Sequence, residues 1–233
     1  EVQKYLPKIQ KHLSLTKQKY PNIINPSKKI IVKSQVIYIE NILNPEYFKL
    51  IKRQFMDLNK FNSRNIIGMR KADGLNFINL HKNNQYLNSL EIYYNNQLND
   101  YISSLVHKPL QRSNSSDINA CSLLIYSQEG DHITWHLDNS IYYGDRYVAL
   151  LTIMNENNKG DDLSANVFSY KLNGKTYDLK AKPNSLLIFK GSEVWHKASA
   201  IKNGEKRVLL SMTYCDICQQ KKNMYDYIHD KIK

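Results

Sequence analysis

Residues 135–139 read WHLDN, inside a run, HITWHLD, whose β-branched and aromatic content otherwise describes an ordinary strand. Side chains two apart on a strand share a face, so His136 and Asp138 would point the same way and could reach one ion. A His-x-Asp pair recurs by chance in many chains, and alone it describes equally well a histidine and an aspartate at a strand end. A metal site needs a third ligand.

The surroundings of the pair set the fold. From Asp117 onward the chain breaks into short β-rich runs, INACSLLIYS, HITWHLD, YVALLTIMN, ANVFSYKL, KTYDL, NSLLIF and RVLLSMTYC, joined by EGD, NKGDD, LNGK and IKNGEK. Some seven strands without intervening helices predict a sandwich or barrel over about residues 117–217. Upstream, VIYIE reads as a strand, and Asn44 followed by Pro45 reads as an N-cap and first helical residue opening an amphipathic helix. Apolar positions from about 84 to 106 predict a second, long helix, with IIGMRKADGLNF a loop carrying short strands between the two. The expected fold class is therefore α+β, with supporting N-terminal helices outside a β-barrel. Tyr5, Ile9 and Leu13 step by four through a leader that two prolines close, so residues 1–33 read as a basic helical extension and 34–233 as the main domain.

His196 is the candidate third ligand, 58 residues after Asp138 and just past the strand of KPNSLLIFKGSEVWH. Two imidazoles and one carboxylate on one face of an octahedral ion leave three positions open, the arrangement of non-haem Fe(II) oxygenases. Arg207 opens the last strong strand, and its guanidinium suits bidentate capture of a carboxylate. Ser211, four residues on, shares its strand face and adds a hydroxyl. Tyr126, ten residues before His136, could donate a phenolic hydrogen bond, although packing in a core explains a tyrosine there as well.

The run from Tyr126 to Cys215 resembles the iron(II)- and 2-oxoglutarate-dependent oxygenase superfamily, which is built on a double-stranded β-helix, or jelly-roll. Its matching pieces are Tyr126 and Gly130, WHLD, the lead of Asp145 and Arg146 into YVALLTIMN, KPNSLLIFKGSEVWH and NGEKRVLLSM. VIYIENILNPEYFKLI resembles the strand and helix preceding this core in prolyl-hydroxylase-like members. The resemblance implies His136, Asp138 and His196 as Fe(II) ligands and Arg207 as the partner of the distal carboxylate of 2-oxoglutarate, with Tyr126 and Ser211 in support. Some prolyl hydroxylases use a lysine near this point, but strand alternation lets only one of Lys206 and Arg207 face inward, and arginine is the choice. O2 would be the oxidant, ascorbate a candidate reductant, and succinate and CO2 the co-products. Gly160-Asp161-Asp162 replaces the Gly-Gly pair of many relatives before the mid-barrel strand. Asp138 is a carboxylate where related halogenases carry a small residue, so hydroxylation is expected rather than halogenation.

Composition leaves partners open. No apolar run approaches the ~20 residues of a membrane span. The net charge of +12 raises a nucleic-acid reading, but residues 1–33 hold eight lysines against one acid, so much of the excess sits in the leader. Asn, Ile, Lys and Tyr, residues of A/T-rich codons, are also abundant. Three cysteines, Cys121, Cys215 and Cys218, argue against a disulfide framework and favour a reducing compartment such as the cytoplasm. The CDIC pair lacks a second Cys/His pair at zinc spacing. His132 and His136 stand four apart as in helical zinc proteases, but Ile133 replaces the general base and the segment is β-rich. Hydroxylation of an amino-acid side chain, in a protein or free, is the leading expectation. An oxidative nucleic-acid demethylase and a non-catalytic jelly-roll binding module are the other two.

Overall fold

The alternating runs after Asp117 pair edge to edge in the computed structural model, which describes residues 2–33, 35–55 and 61–221. The N-terminal half contributes α1 (Leu6–Lys19), β1 (Lys29–Lys33), β2 (Val36–Glu40), α2 (Pro45–Arg53), β3 (Asn62–Ser63), β4 (Arg70–Lys71), β5 (Asp73–Leu75), α3 (Phe77–Lys82), α4 (Leu87–Tyr94), α5 (Asn96–Val106) and β6 (Gln111–Arg112). The barrel follows as β7 (Cys121–Tyr126), β8 (His132–His136), β9 (Arg146–Glu156), β10 (Phe168–Leu172), β11 (Lys175–Leu179), β12 (Ser185–Lys190), β13 (His196–Ala198) and β14 (Lys206–Cys215).

Two antiparallel sheets result. The larger runs β1-β2-β12-β9-β14-β7-β5-β3, with β6 on β14, and the smaller runs β11-β10-β13-β8-β4. From β7 to β14 successive strands alternate between the sheets except at the β10-β11 hairpin, which lies in the smaller one, and this is the jelly-roll expected of the barrel segment. Period-two alternation then divides the labour of each strand of the larger sheet. Leu123 and Ile125, Leu151 and Ile153, Leu186 and Ile188, and Leu210 and Met212 turn outward onto the helices, where they join Tyr47, Ile51, Leu90, Tyr93, Leu98 and Ile102 in one buried cluster. Each such side chain contributes about 1.5–3 kcal/mol by leaving water. Their neighbours Leu124, Tyr126, Leu150, Leu209 and Ser211 face the other way, into a cavity between the sheets.

The helices follow their caps. Asn44 accepts hydrogen bonds from the Glu46 and Tyr47 amides with Pro45 at the first helical position, as read from the sequence. The long helix expected over 84–106 is instead a 3-10 turn followed by α4 and α5. The break falls at Asn95, which leaves the helical region (ψ 122°) and uses its side chain to cap Gln97 and Leu98. α1 is docked rather than free: Val2 and Ile9 are buried, and the Thr16 hydroxyl donates to the enclosed carboxylate of Glu91 on α4. β13 is a strand that sequence reasoning did not anticipate. Cys215 and Cys218 are joined as a disulfide; a three-residue separation makes this a local clasp rather than a framework, while Cys121 stays a buried thiol. Among the described residues, no helix is long and apolar enough to cross a membrane.

Candidate metal centre

β8 and β13 are antiparallel neighbours, and His136 and His196 are register partners across them. This pairing places the two rings 4.1 Å apart, centroid to centroid. Asp138 lies two residues beyond the end of β8, so strand alternation alone does not set its direction. Its amide donates to the Gly191 carbonyl at 2.9 Å, which turns the carboxylate back toward both imidazoles. One oxygen lies 3.7 Å from His136 Nε2 and the other 3.8 Å from His196 Nε2. One ligand atom from each of the three residues lies within 4.8 Å of the other two.

Both histidines are held in the tautomer a cation needs. His136 Nδ1 faces the Thr134 carbonyl and His196 Nδ1 the Val194 carbonyl, each at 2.8 Å. A carbonyl only accepts, so Nδ1 carries the proton and Nε2 presents its lone pair inward. Burial, reinforced by the neighbouring His136, lowers the pKa of His196 against the opposing pull of Asp138. Phe168 stacks on the His196 ring and Phe189 meets it edge-on, so the site is apolar on that side. Two neutral nitrogen donors and one carboxylate, with space on the remaining side, fit the donor set of non-haem Fe(II).

Gly191 is a functional position that sequence reasoning missed. A Cβ there would fall 2.8 Å from Asp138 Cβ, 2.9 Å from Asp138 Oδ2 and 3.0 Å from a Val148 methyl. The available signal was a glycine directly after a strong strand, a mark of close backbone approach.

Opposite the triad, the cavity of about 360 Å³ is lined from β7 by Ser122, Leu124 and Tyr126, and from β14 by Arg207, Leu209, Ser211 and Thr213. Arg207 is the register partner of Tyr126, and its guanidinium carbon sits 5.2 Å from the phenol ring centre. It is 3% exposed and has no acidic partner among the described residues. Burial lowers its pKa, while Tyr126 works the other way. Burial raises that of Tyr126 despite the nearby guanidiniums, so the phenol stays protonated and can donate. Ser211 lines the same wall, half-buried. Lys206 faces away, its ammonium toward the Phe55 carbonyl.

Other residues of the motif and its neighbourhood divide between the cavity and its surroundings. His132 bonds the Gly130 carbonyl at 2.7 Å and does not line the cavity. Trp135 lies on the outer side of β8, flanked by the ammonium groups of Lys171 and Lys197. Asn139 lines the cavity, and its carbonyl accepts from Arg146. In the loop after the motif, Tyr142 is fully buried with its hydroxyl donating to Asp117, and Tyr143 is exposed; neither lines the cavity.

The 2OG-Fe(II) oxygenase superfamily matches residues 121–214, the segment holding the triad and Arg207. No curated protein matches the chain. Among solved structures, the fold is similar to a prolyl hydroxylase from Trichoplax adhaerens in complex with a hypoxia inducible factor oxygen degradation domain peptide, at TM-score 0.60 and 13% identity, covering 91% of this chain and 92% of that one. It is also similar to a Pseudomonas putida prolyl-4-hydroxylase, at TM-score 0.54 and 15% identity over 78% and 92% of the two chains. The non-heme alpha ketoglutarate dependent epimerase SnoN from nogalamycin biosynthesis gives TM-score 0.59 and 10% identity over 89% and 82%.

Proposed function

We propose, from the premise that this chain belongs to the 2OG-Fe(II) oxygenase superfamily, that it hydroxylates a C–H bond of an amino-acid side chain. The observation that carries this reading is the convergence of His136, Asp138 and His196 on one point of a cavity whose far wall holds the buried, acid-free Arg207. His136 and His196 would hold Fe(II) through Nε2, with Asp138 completing the set. When bound, the iron supplies the activation of O2 coupled to oxidative decarboxylation of 2-oxoglutarate to succinate and CO2. Arg207 binds the distal carboxylate of the co-substrate through its guanidinium fork, and Tyr126 and Ser211 donate hydroxyls to the same group. The sheets exclude water around them, which strengthens each of these charge-assisted bonds. An amino-acid side chain is favoured as substrate by the likeness of the fold to two prolyl hydroxylases, one of them holding a peptide.

The test is succinate release by protein loaded with Fe(II) in air, with 2-oxoglutarate, against a panel of peptides, free amino acids and methylated oligonucleotides. Mass spectrometry then follows the gain of one oxygen atom. Turnover with an amino-acid or peptide substrate, lost in D138A, is expected. Turnover confined to oligonucleotides, or none with any member of the panel, overturns the reading.

A further inference from the structure

Four arginines line the cavity, Arg64, Arg70, Arg146 and Arg207. Two are accounted for. Arg146 faces Asp117 at 3.6 Å, and Arg207 has the co-substrate carboxylate in the reading above. Arg64 and Arg70 remain, on the hairpin that carries β4 over the cavity, and no acidic group lies within ion-pair distance of either among the described residues. Arg64 Nη2 donates to Asn119 Oδ1 at 3.2 Å, while its Nη1 is closed from solvent and has no partner among the described residues. Arg70 Nε donates to the Arg64 carbonyl at 2.7 Å.

The hairpin fixes this pair. Ile66 and Arg70 exchange backbone hydrogen bonds at 2.8 Å in both directions, and Arg70 pairs with Ile133 of β8. Arg70 therefore sits on the strand beside β8, which carries His136, and the Arg64 amide donates to the Ala72 carbonyl of the same hairpin at 2.8 Å. Burial, followed by the charge of Arg70, brings the pKa of Arg64 down to about 10, and burial lowers that of Arg70 against the opposing pull of Tyr126 and then Asp138. Two like charges on one half-buried hairpin, one of them with a solvent-closed donor that meets no acceptor among the described residues, are costly unless an anion joins them.

We infer that Arg64 and Arg70 form a second anion site for the substrate, which presents a carboxylate close to the C–H bond oxidised. Guanidinium forks match carboxylate geometry, and two of them can share one carboxylate. This rests on the hydroxylase reading and narrows its substrate to a free amino acid, a C-terminal residue, or an aspartyl or glutamyl side chain. Mid-chain neutral residues are disfavoured.

The experiment titrates Fe(II)-loaded protein, saturated with 2-oxoglutarate under nitrogen, with free amino acids, their carboxamides, and Asp- or Glu-containing peptides with carboxamide ends. Calorimetry gives each Kd without turnover. Carboxylate-bearing members should bind roughly tenfold or more tighter than their uncharged counterparts. The free amino acids and the acidic peptides separate an α-carboxylate from a side-chain one. R64Q and R70Q should erase the preference while leaving 2-oxoglutarate affinity within about twofold. R70K, which keeps the cation without the Nε bond to the hairpin, should retain part of it, separating loss of charge from loss of local structure. Equal binding of the carboxamides, no binding by any member, a preference surviving both Gln variants, or loss of 2-oxoglutarate binding with the pair would overturn the inference. Hydroxylation of a neutral mid-chain residue would sink this inference alone, whereas absence of 2-oxoglutarate turnover with every substrate would sink the hydroxylase reading beneath it.

Discussion

Gly191 and Asp138 touch through their backbones: the Asp138 amide donates to the Gly191 carbonyl at 2.9 Å, and no room for a side chain exists on Gly191 beneath the carboxylate. Nothing in the backbone angle demands glycine there, since Gly191 is absent from the positive-φ residues. The demand is space. In G191A, the added methyl would push Asp138 off the point on which the histidines converge. Metal affinity should fall by roughly tenfold or more, the range seen when groups supporting a ligand are disturbed. Calorimetric titration with Mn(II) checks this, and an unchanged Kd would show that Asp138 has slack.

Arg207 is buried with no acidic partner among the described residues, so its loss should register in co-substrate binding before anything else. R207Q should weaken 2-oxoglutarate by about 3 kcal/mol, on the order of a hundredfold, as expected for a desolvated charge pair. R207K should recover only part of this, because an ammonium cannot form the two parallel bonds. Y126F should cost less, about 1 kcal/mol for one hydroxyl donor. The readout is the 2-oxoglutarate KM together with Kd measured without O2.

Metal binding should stabilise the fold, because the unfolded chain cannot hold His136, Asp138 and His196 together. At a hundredfold excess over Kd, a redox-inert ion such as Mn(II) should add about 2.7 kcal/mol. For a chain of this size that raises Tm by about 5–10 °C. A chelator should reverse the shift, and D138A should abolish it. The effect should also fade in acid, as the imidazoles must be neutral to bind.

Glu91 makes stability depend on pH. Burial drives its pKa up to about 7, against the opposing pull of the Thr16 and Tyr47 hydroxyls. Between the ordinary carboxyl value of 4.5 and about 7 the folded protein therefore binds a proton that the unfolded chain has released. Stability then falls as pH rises through that window and levels off above it. E91Q should flatten this part of the Tm profile and melt higher than the wild type at pH 8. A wild-type profile that rises through the same window would refute this account.

Much of this molecule was legible in its residues. β-rich runs bounded by turn residues marked the seven longer barrel strands, and Asn44-Pro45 marked the start of α2, because these signals are local: they depend on which residues favour a strand or a turn and which amide a side chain can cap. The helix broken at Asn95 escaped because the apolar pattern runs on through the break, and only the direction of one side chain betrays it. β13 escaped because three residues are too few to show a period.

The sequence by itself determined the fold class and the ingredients of the site: the order and spacing of WHLD, His196 and Arg207 along alternating strands. Only the tertiary structure decided that His136 and His196 are register partners, that Gly191 turns Asp138 toward them, and that Arg64 and Arg70 arrive over the same cavity. The reason is physical. Strand pairing and close backbone approach join residues tens of positions apart, and no periodicity within a single segment encodes which distant segment will lie beside it.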